Sequence, residues 1–202
     1  MKLTHTTAAA ALALVTAMAM SPFQAAIAEP PQAEHAVKVE NFTLTDQAGK
    51  SHELYSLVDA PAIVIVPQVN GDPLSRDAIK ALEGIKGIFG GAEYFVLNSS
   101  PVDTRATIAE EAKELNTSIP MLDDHQQAVA MNLGVTQTGE AFIINPIGWK
   151  VVYRGPVTAA AAADQSEQYL LFNALVHVIG HRVIEDADVP VKGSPIHLAA
   201  GH

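Results

Sequence analysis

The sequence predicts an α/β sandwich, with a central mixed sheet and helices on both faces. Two apolar runs, Ala62 to Val66 and Tyr94 to Leu97, have no polar alternation. A strand with one wet face would alternate, so these read as strands covered on both sides. Stretches with helical spacing separate the runs, and a hairpin near residue 150 closes the pattern. Strands alternating with helices, followed by a hairpin, give three layers around a mixed sheet.

The elements follow in order. Residues 1–28 read as a cleaved secretory leader: Lys2 and His5 open it, Ala8 to Met20 is uncharged and apolar, and Ala26-Ile27-Ala28 offers small residues before a cleavage point. The apolar run is shorter than the ~20 residues of a spanning helix, and Ser21-Pro22 breaks it. Residues 29–36 read as a linker and 37–182 as one folded domain. Residues 183–202 carry Pro190, Gly193, Pro195 and Gly201 and read as an irregular tail.

Within the domain, Phe42 to Thr45 alternates as a half-buried strand and Asp46 to Gly49 turns the chain. Leu54 to Val58 is a short element. The run 62–66 is bounded by Pro61 and Pro67. Asp72 caps the next helix, with Pro73 in its first position and Ile79, Leu82, Ile85 and Phe89 at helical spacing. After the strand at 94–97, Thr104 to Leu115 is a helix with Asp103 as cap. Ile119 to Leu122 is a short edge piece, since Pro120 lacks an N–H. Asp124 to Leu133 is a helix stopped by Gly134. Glu140 to Asn145 and Lys150 to Arg154 form the hairpin. Ala159 to Ala163 leads into the last helix, Gln165 to about Arg182.

The chain has 202 residues and no cysteine. Loss of the leader removes one Lys and no acid, leaving 11 basic against 22 acidic residues, a formal charge of −11. An acidic body without clustered Lys and Arg does not suit nucleic acid. No segment after the leader is long and apolar enough to span a bilayer. The missing cysteines exclude thiolate nucleophiles, dithiol exchange, thiolate zinc sites and iron–sulfur clusters.

Four stretches carry a family resemblance: Phe42 to Lys50, Ile63 to Arg76, Asn132 to Asn145 and Gly148 to Val157. Their order and spacing resemble the redoxin branch of the thioredoxin fold, the alkyl hydroperoxide reductase and thiol-specific antioxidant relatives. The resemblance implies a thioredoxin-like three-layer sandwich over about residues 40–182. It also implies an active site, which this sequence replaces. Where the family carries a reactive cysteine or a cysteine pair, Asp72-Pro73-Leu74-Ser75 stands here. Where it carries Thr-Pro with a cis-proline, Thr138-Gly139 stands here. Where exported relatives carry Gly-Cys near the C-terminus, Gly193-Ser194 stands here. Hydroxyls and carboxylates form no sulfenic acid and attack no disulfide. Ser75 has no adjacent base in sequence, and a loop without the cis-proline is expected to lose its hold on an extended peptide.

Three further groups have both plain and functional readings. His177 and His181 are four apart on the last helix and so share a face; with His197 and His202 they would suit copper or zinc. Otherwise they are surface residues. Asp123-Asp124-His125 reads as helix capping, with an acid–base dyad as the functional alternative. Trp149 lies in the hairpin turn, either as an exposed anchor for a partner or folded over the sheet edge.

The leading expectation is an exported, periplasmic or secreted, non-catalytic binding or accessory module with no cofactor. Its partner would be another envelope protein. The alternatives are a redoxin-type accessory or metal-handling protein that uses histidines, and a structural subunit that assembles through a sheet edge.

Overall fold

The run at 63–66 lies at the heart of a seven-stranded sheet of order β2-β1-β5-β4-β3-β6-β7. The strands are β1 (Thr43–Asp46), β2 (Ser51–Glu53), β3 (Ile63–Gln68), β4 (Glu93–Asn98), β5 (Met121–Asp123), β6 (Glu140–Asn145) and β7 (Lys150–Pro156). A computed structural model describes residues 37–164, 169–184 and 187–199. The leader and linker read at 1–36 lie outside the described residues, as do His202 and the first residues of the expected last helix.

Strands β3, β4 and β5 are parallel to one another, whereas β6 runs antiparallel to β3. Alternate residues of β3 therefore serve two cores. Val64 and Val66 face α1 (Pro73–Ile88), α2 (Arg105–Leu115) and α4 (Leu170–Ile179) through Leu82, Ile108 and Leu175. Ile63 and Ile65 face α3 (Ala128–Leu133) and a 3-10 turn at Leu54–Leu57 through Val129, Leu133 and Leu54. This accounts for the unbroken apolar run: both faces of β3 are dry, and the architecture is the expected mixed three-layer sandwich.

Several boundaries differ from the sequence reading. β3 continues through Pro67 to Gln68. Its partner β6 pairs only with Ile63 to Ile65, so Pro67 sits where β3 has lost that neighbour and a missing N–H costs little. Strand β2 is added at 51–53, and Leu54–Leu57 is a 3-10 turn. Thr104 caps α2 through a reciprocal pair of bonds with Thr107, while Asp103 instead accepts from Asn98 Nδ2 at 2.9 Å. Helix α3 begins at Ala128, after a turn in which Gln127 takes a left-handed φ of 62°. Helix α4 ends at Ile179 rather than near Arg182.

The tail is irregular, as expected, but it lies against the domain. Residues 187–199 form no long regular element, yet they pair with the domain by isolated bridges at Arg154–Asp188, Ala162–Val191 and Gln137–Pro195. Strand β7 is covered twice along its outer side: by Lys38, which bridges Lys150, and by Asp188 at Arg154. Among the described residues no helix is long and apolar enough to cross a membrane.

Candidate functional site

The positions that replace the family's thiol chemistry meet in space. Asp72 is the N-cap of α1, and its Oδ1 accepts from the Ser75 N–H at 2.7 Å. Pro73 follows at the first helical position, where no backbone donor is needed. The Asp72 Oδ2 accepts from the Ser194 hydroxyl at 2.6 Å, 122 positions along the chain. The Ser194 N–H in turn donates to Thr138 Oγ1 at 3.0 Å. Thr138 is fully buried, and Gly139 behind it has φ +73° and lies where a Cβ would meet Ala161 Cβ at 2.8 Å. Glycine is the residue this packing admits.

This carboxylate is saturated rather than poised. Burial pushes the Asp72 carboxyl up, but bonds from the Ser194 hydroxyl, the Ser75 amide and the Thr138 hydroxyl favour the charged form and hold it below the ordinary carboxylate value. Ser75 is completely buried, and its Oγ accepts from the Val69 N–H at 3.1 Å. It pins the end of β3 to α1 and presents no hydroxyl to a substrate. A nucleophile needs a base beside it, and the groups at Ser75 are backbone amides and an acceptor already in use.

The loop that carries Thr138 does hold an extended segment, contrary to the expectation from its missing proline. The segment is the chain's own tail. Thr138 N–H donates to Ser194 O at 2.9 Å, and Ile196 N–H donates to Thr136 O at 2.9 Å. The Gln137 side chain reads the same stretch twice, donating to Val191 O at 2.8 Å and accepting from Gly193 N–H at 3.1 Å. The sequence reading missed Gln137 and Gln127, since a glutamine beside a loop carries no periodic signal.

The remaining candidates are dispersed. Helix α4 ends before Gly180, and His181 lies beyond it with φ 52°, so His177 and His181 do not share a helical face. His177 Nδ1 is bonded to Val183 O at 2.7 Å, and His197 is exposed in the tail with its carbonyl accepting from Gln127. Among the described residues no group of three or more His, Asp or Glu side chains is placed to hold a metal ion. Asp124 is buried and accepts from Ser99 Oγ and from the N–H groups of Val129 and Ala130, which caps α3. Asp123 and His125 lie within 3.3 Å of one another at the surface. Trp149 has φ 56° and stacks on Tyr55, with ring centroids 4.3 Å apart. It lies over the sheet edge, half-buried against the core.

Two buried acids also escaped the sequence reading. Glu140, 1% exposed, pairs with Arg154 Nε at 2.5 Å, and Arg154 also reaches Thr136 Oγ1. Glu111 pairs with Arg76 and accepts from Gly71 N–H beside Asp72. A cavity of about 650 Å³ lies between α1 and α4, lined by Gly84, Ile85, Val157 and Phe172. It is apolar and begins at Ala81, more than two turns along α1 from Asp72, so it has no part in the Asp72 cluster.

No known family profile and no curated protein matches the chain. Solved structures do. A hypothetical protein from Sinorhizobium meliloti is 24% identical, with a TM-score of 0.67 over 82% of this chain and 95% of that one. An uncharacterized protein from Geobacillus kaustophilus is 21% identical, with a TM-score of 0.64 over 83% and 93%. A peroxidoxin from Mycobacterium tuberculosis is 18% identical, with a TM-score of 0.57 over 72% and 96%. At these identities the likeness concerns architecture, and architecture does not dictate chemistry. The chain therefore has the thioredoxin-like fold of redoxin structures, built without a single cysteine.

Proposed function

We infer that this protein is an exported, non-catalytic binding module of the cell envelope, acting on a partner protein and not on a peroxide or a disulfide. One observation carries the reading. Where the resemblance expects a thiolate, an ionised carboxylate stands with its oxygens already hydrogen-bonded to Ser75 and Ser194. Such a group has no redox couple, and Ser75 beside it is completely buried, out of reach of a substrate. The fold and the loop at 136–138 remain, and that loop pairs with extended backbone. Export is supported by the leader pattern at 1–28 and by likeness of fold to a secreted disulfide oxidoreductase from Mycobacterium tuberculosis, 14% identical with a TM-score of 0.53.

The test has two arms. The purified chain lacking residues 1–28 should consume hydroperoxide and reduce insulin disulfides no faster than buffer. In intact cells, a photo-reactive side chain at exposed Val102 or Ile147 should cross-link one partner protein. Turnover that disappears in Asp72→Asn would overturn the reading, as would the absence of any adduct at either position.

A further inference from the structure

The C-terminal segment lies on the domain as a surface strap: Ile196 and Leu198 pack against one core and Val189 against the other, without full burial. Among the described residues of 187–199, none is buried: Val191, Ile196 and Leu198 are half-covered, while Lys192, Pro195, His197 and Ala199 are exposed. Besides that partial apolar packing, a ladder of polar contacts to one edge holds the segment. Thr138 and Thr136 supply the backbone bonds, Gln137 brackets Gly193, and Gln127 Oε1 accepts from the Ala199 N–H at 2.6 Å while its Nε2 donates to His197 O. The Ser194 hydroxyl closes the ladder on Asp72. From Pro195 to Ala199 exposure alternates residue by residue, as in a strand added to a sheet margin.

The fit is selective at one place. A Cβ at Gly193 would stand 1.9 Å from Thr138 O, a backbone atom and not the end of a flexible side chain. The edge therefore accepts an extended chain only with a side-chain-free residue at that step. A hydroxyl comes next, and half-covered apolar side chains follow two and four residues after it.

We propose that residues 191–199 are a self-supplied peptide ligand seated on a docking edge formed by Thr136, Gln137, Thr138 and Gln127 over Asp72, and that the partner displaces them with an extended segment of the same pattern. This rests on the binding-module reading for the identity of the displacer, but not for the detachability of the tail. A second copy's tail is disfavoured as occupant. A tethered segment works at an effective concentration on the order of millimolar, so an identical tail in trans loses at micromolar protein. A partner must therefore add contacts beyond the edge, and that requirement makes exchange selective.

The experiment uses the full chain after leader removal. Native-state hydrogen exchange should show the Thr138 and Ile196 amides opening together, at lower cost than Val96, whose N–H bonds Pro120 O in the sheet. Gly193→Ala should release the segment, giving fast exchange at Thr138 with Val96 still protected. A labelled synthetic peptide of residues 189–199 should then bind Gly193→Ala at least about tenfold more tightly than the unsubstituted chain. The same peptide carrying Ala at the Gly193 step should bind neither. Ser194→Ala is the milder variant and should accelerate Thr138 and Ile196 exchange together, by less than Gly193→Ala, with Val96 unchanged. If Thr138 and Val96 exchange in a single cooperative step, or if Gly193→Ala fails to fold while Ser194→Ala leaves Ile196 unchanged, the segment is structural and the proposal falls. Peptide binding equal in both chains would also overturn it. None of these results bears on peroxide or disulfide turnover, so the two readings fail separately.

Discussion

Arg154→Ala is expected to be among the costly single substitutions outside the apolar cores. Glu140 is 1% exposed, and the Arg154 Nε lies 2.5 Å from its Oε1. The arginine side chain is 31% exposed, and its other amino group bonds Thr136 Oγ1. Removing one partner of a buried ion pair costs about 3–5 kcal/mol, because the other charge stays behind without compensation. Partial exposure of the guanidinium lets water replace part of it, so the lower end applies, about 3 kcal/mol. For a domain of this size that lowers Tm by roughly 6–12 °C. The penalty should depend on pH. Burial already pushes the Glu140 carboxyl up, against the pull of Arg154. Without the arginine it rises further, so the folded variant binds a proton that the unfolded chain does not. Stability of the variant then falls as pH rises from the ordinary value of 4.5. Urea melts at pH 5 and pH 8, monitored by circular dichroism, measure both effects. Glu140→Gln in the Arg154→Ala background should recover most of the loss at pH 8. A penalty under about 1 kcal/mol, or one equal at the two pH values, would refute the reasoning.

Acid should destabilise the fold through three carboxylates. Asp46, Asp72 and Glu83 are each desolvated, but hydrogen bonds, from His52, Ser194 and Thr117 in turn, hold them below their ordinary values. A depressed folded pKa gives stability that is present above the unfolded pKa and lost as pH falls below about 4. Asp46→Asn should flatten this acid limb in a pH series of urea melts, and an unchanged limb would show that Asp46 contributes nothing there. The stack of Trp149 on Tyr55 has an optical signature. Tyr55→Ala should shift Trp149 emission to the red and weaken the near-ultraviolet dichroism, with a loss of about 1 kcal/mol for the aromatic pair.

Local chemistry carried much of the fold into view. The β-branched run at 63–66, the Asp72-Pro73 helix start and the Gly134 stop are signals within a few residues of each other, and the structure uses all of them. What the sequence hid depends on partners far away. Glu140 is buried because Arg154 reaches it, and Glu111 because Arg76 does. Nothing in the neighbourhood of either acid announces that. Pro67 reads as a strand end until the length of β6 is known. His177 and His181 share a face only in a helix that passes Gly180, and α4 stops at Ile179. The Asp72 cluster was legible as a set of replacements, but not as a latch, since Ser194 lies 122 residues from Asp72. The tail is irregular, as expected, but its contacts with the domain were not legible. A stretch rich in Pro and Gly lacks periodicity, and its order comes from distant partners: the loop at 136–138, Gln127, Asp72 and Arg154.

The double cover on β7 bears on how this chain could associate with itself. Growth of a continuous sheet from copy to copy needs an open row of donors and acceptors at each margin. At β7 the segments around Lys38 and Asp188 already occupy that row, so stacking there requires two peelings before any new bond forms. The opposite margin, β2, is three residues long with Ser51 and Glu53 turned to water, too short and too polar to template a neighbour. Edge-to-edge stacking of copies is thereby blocked at both margins of the sheet.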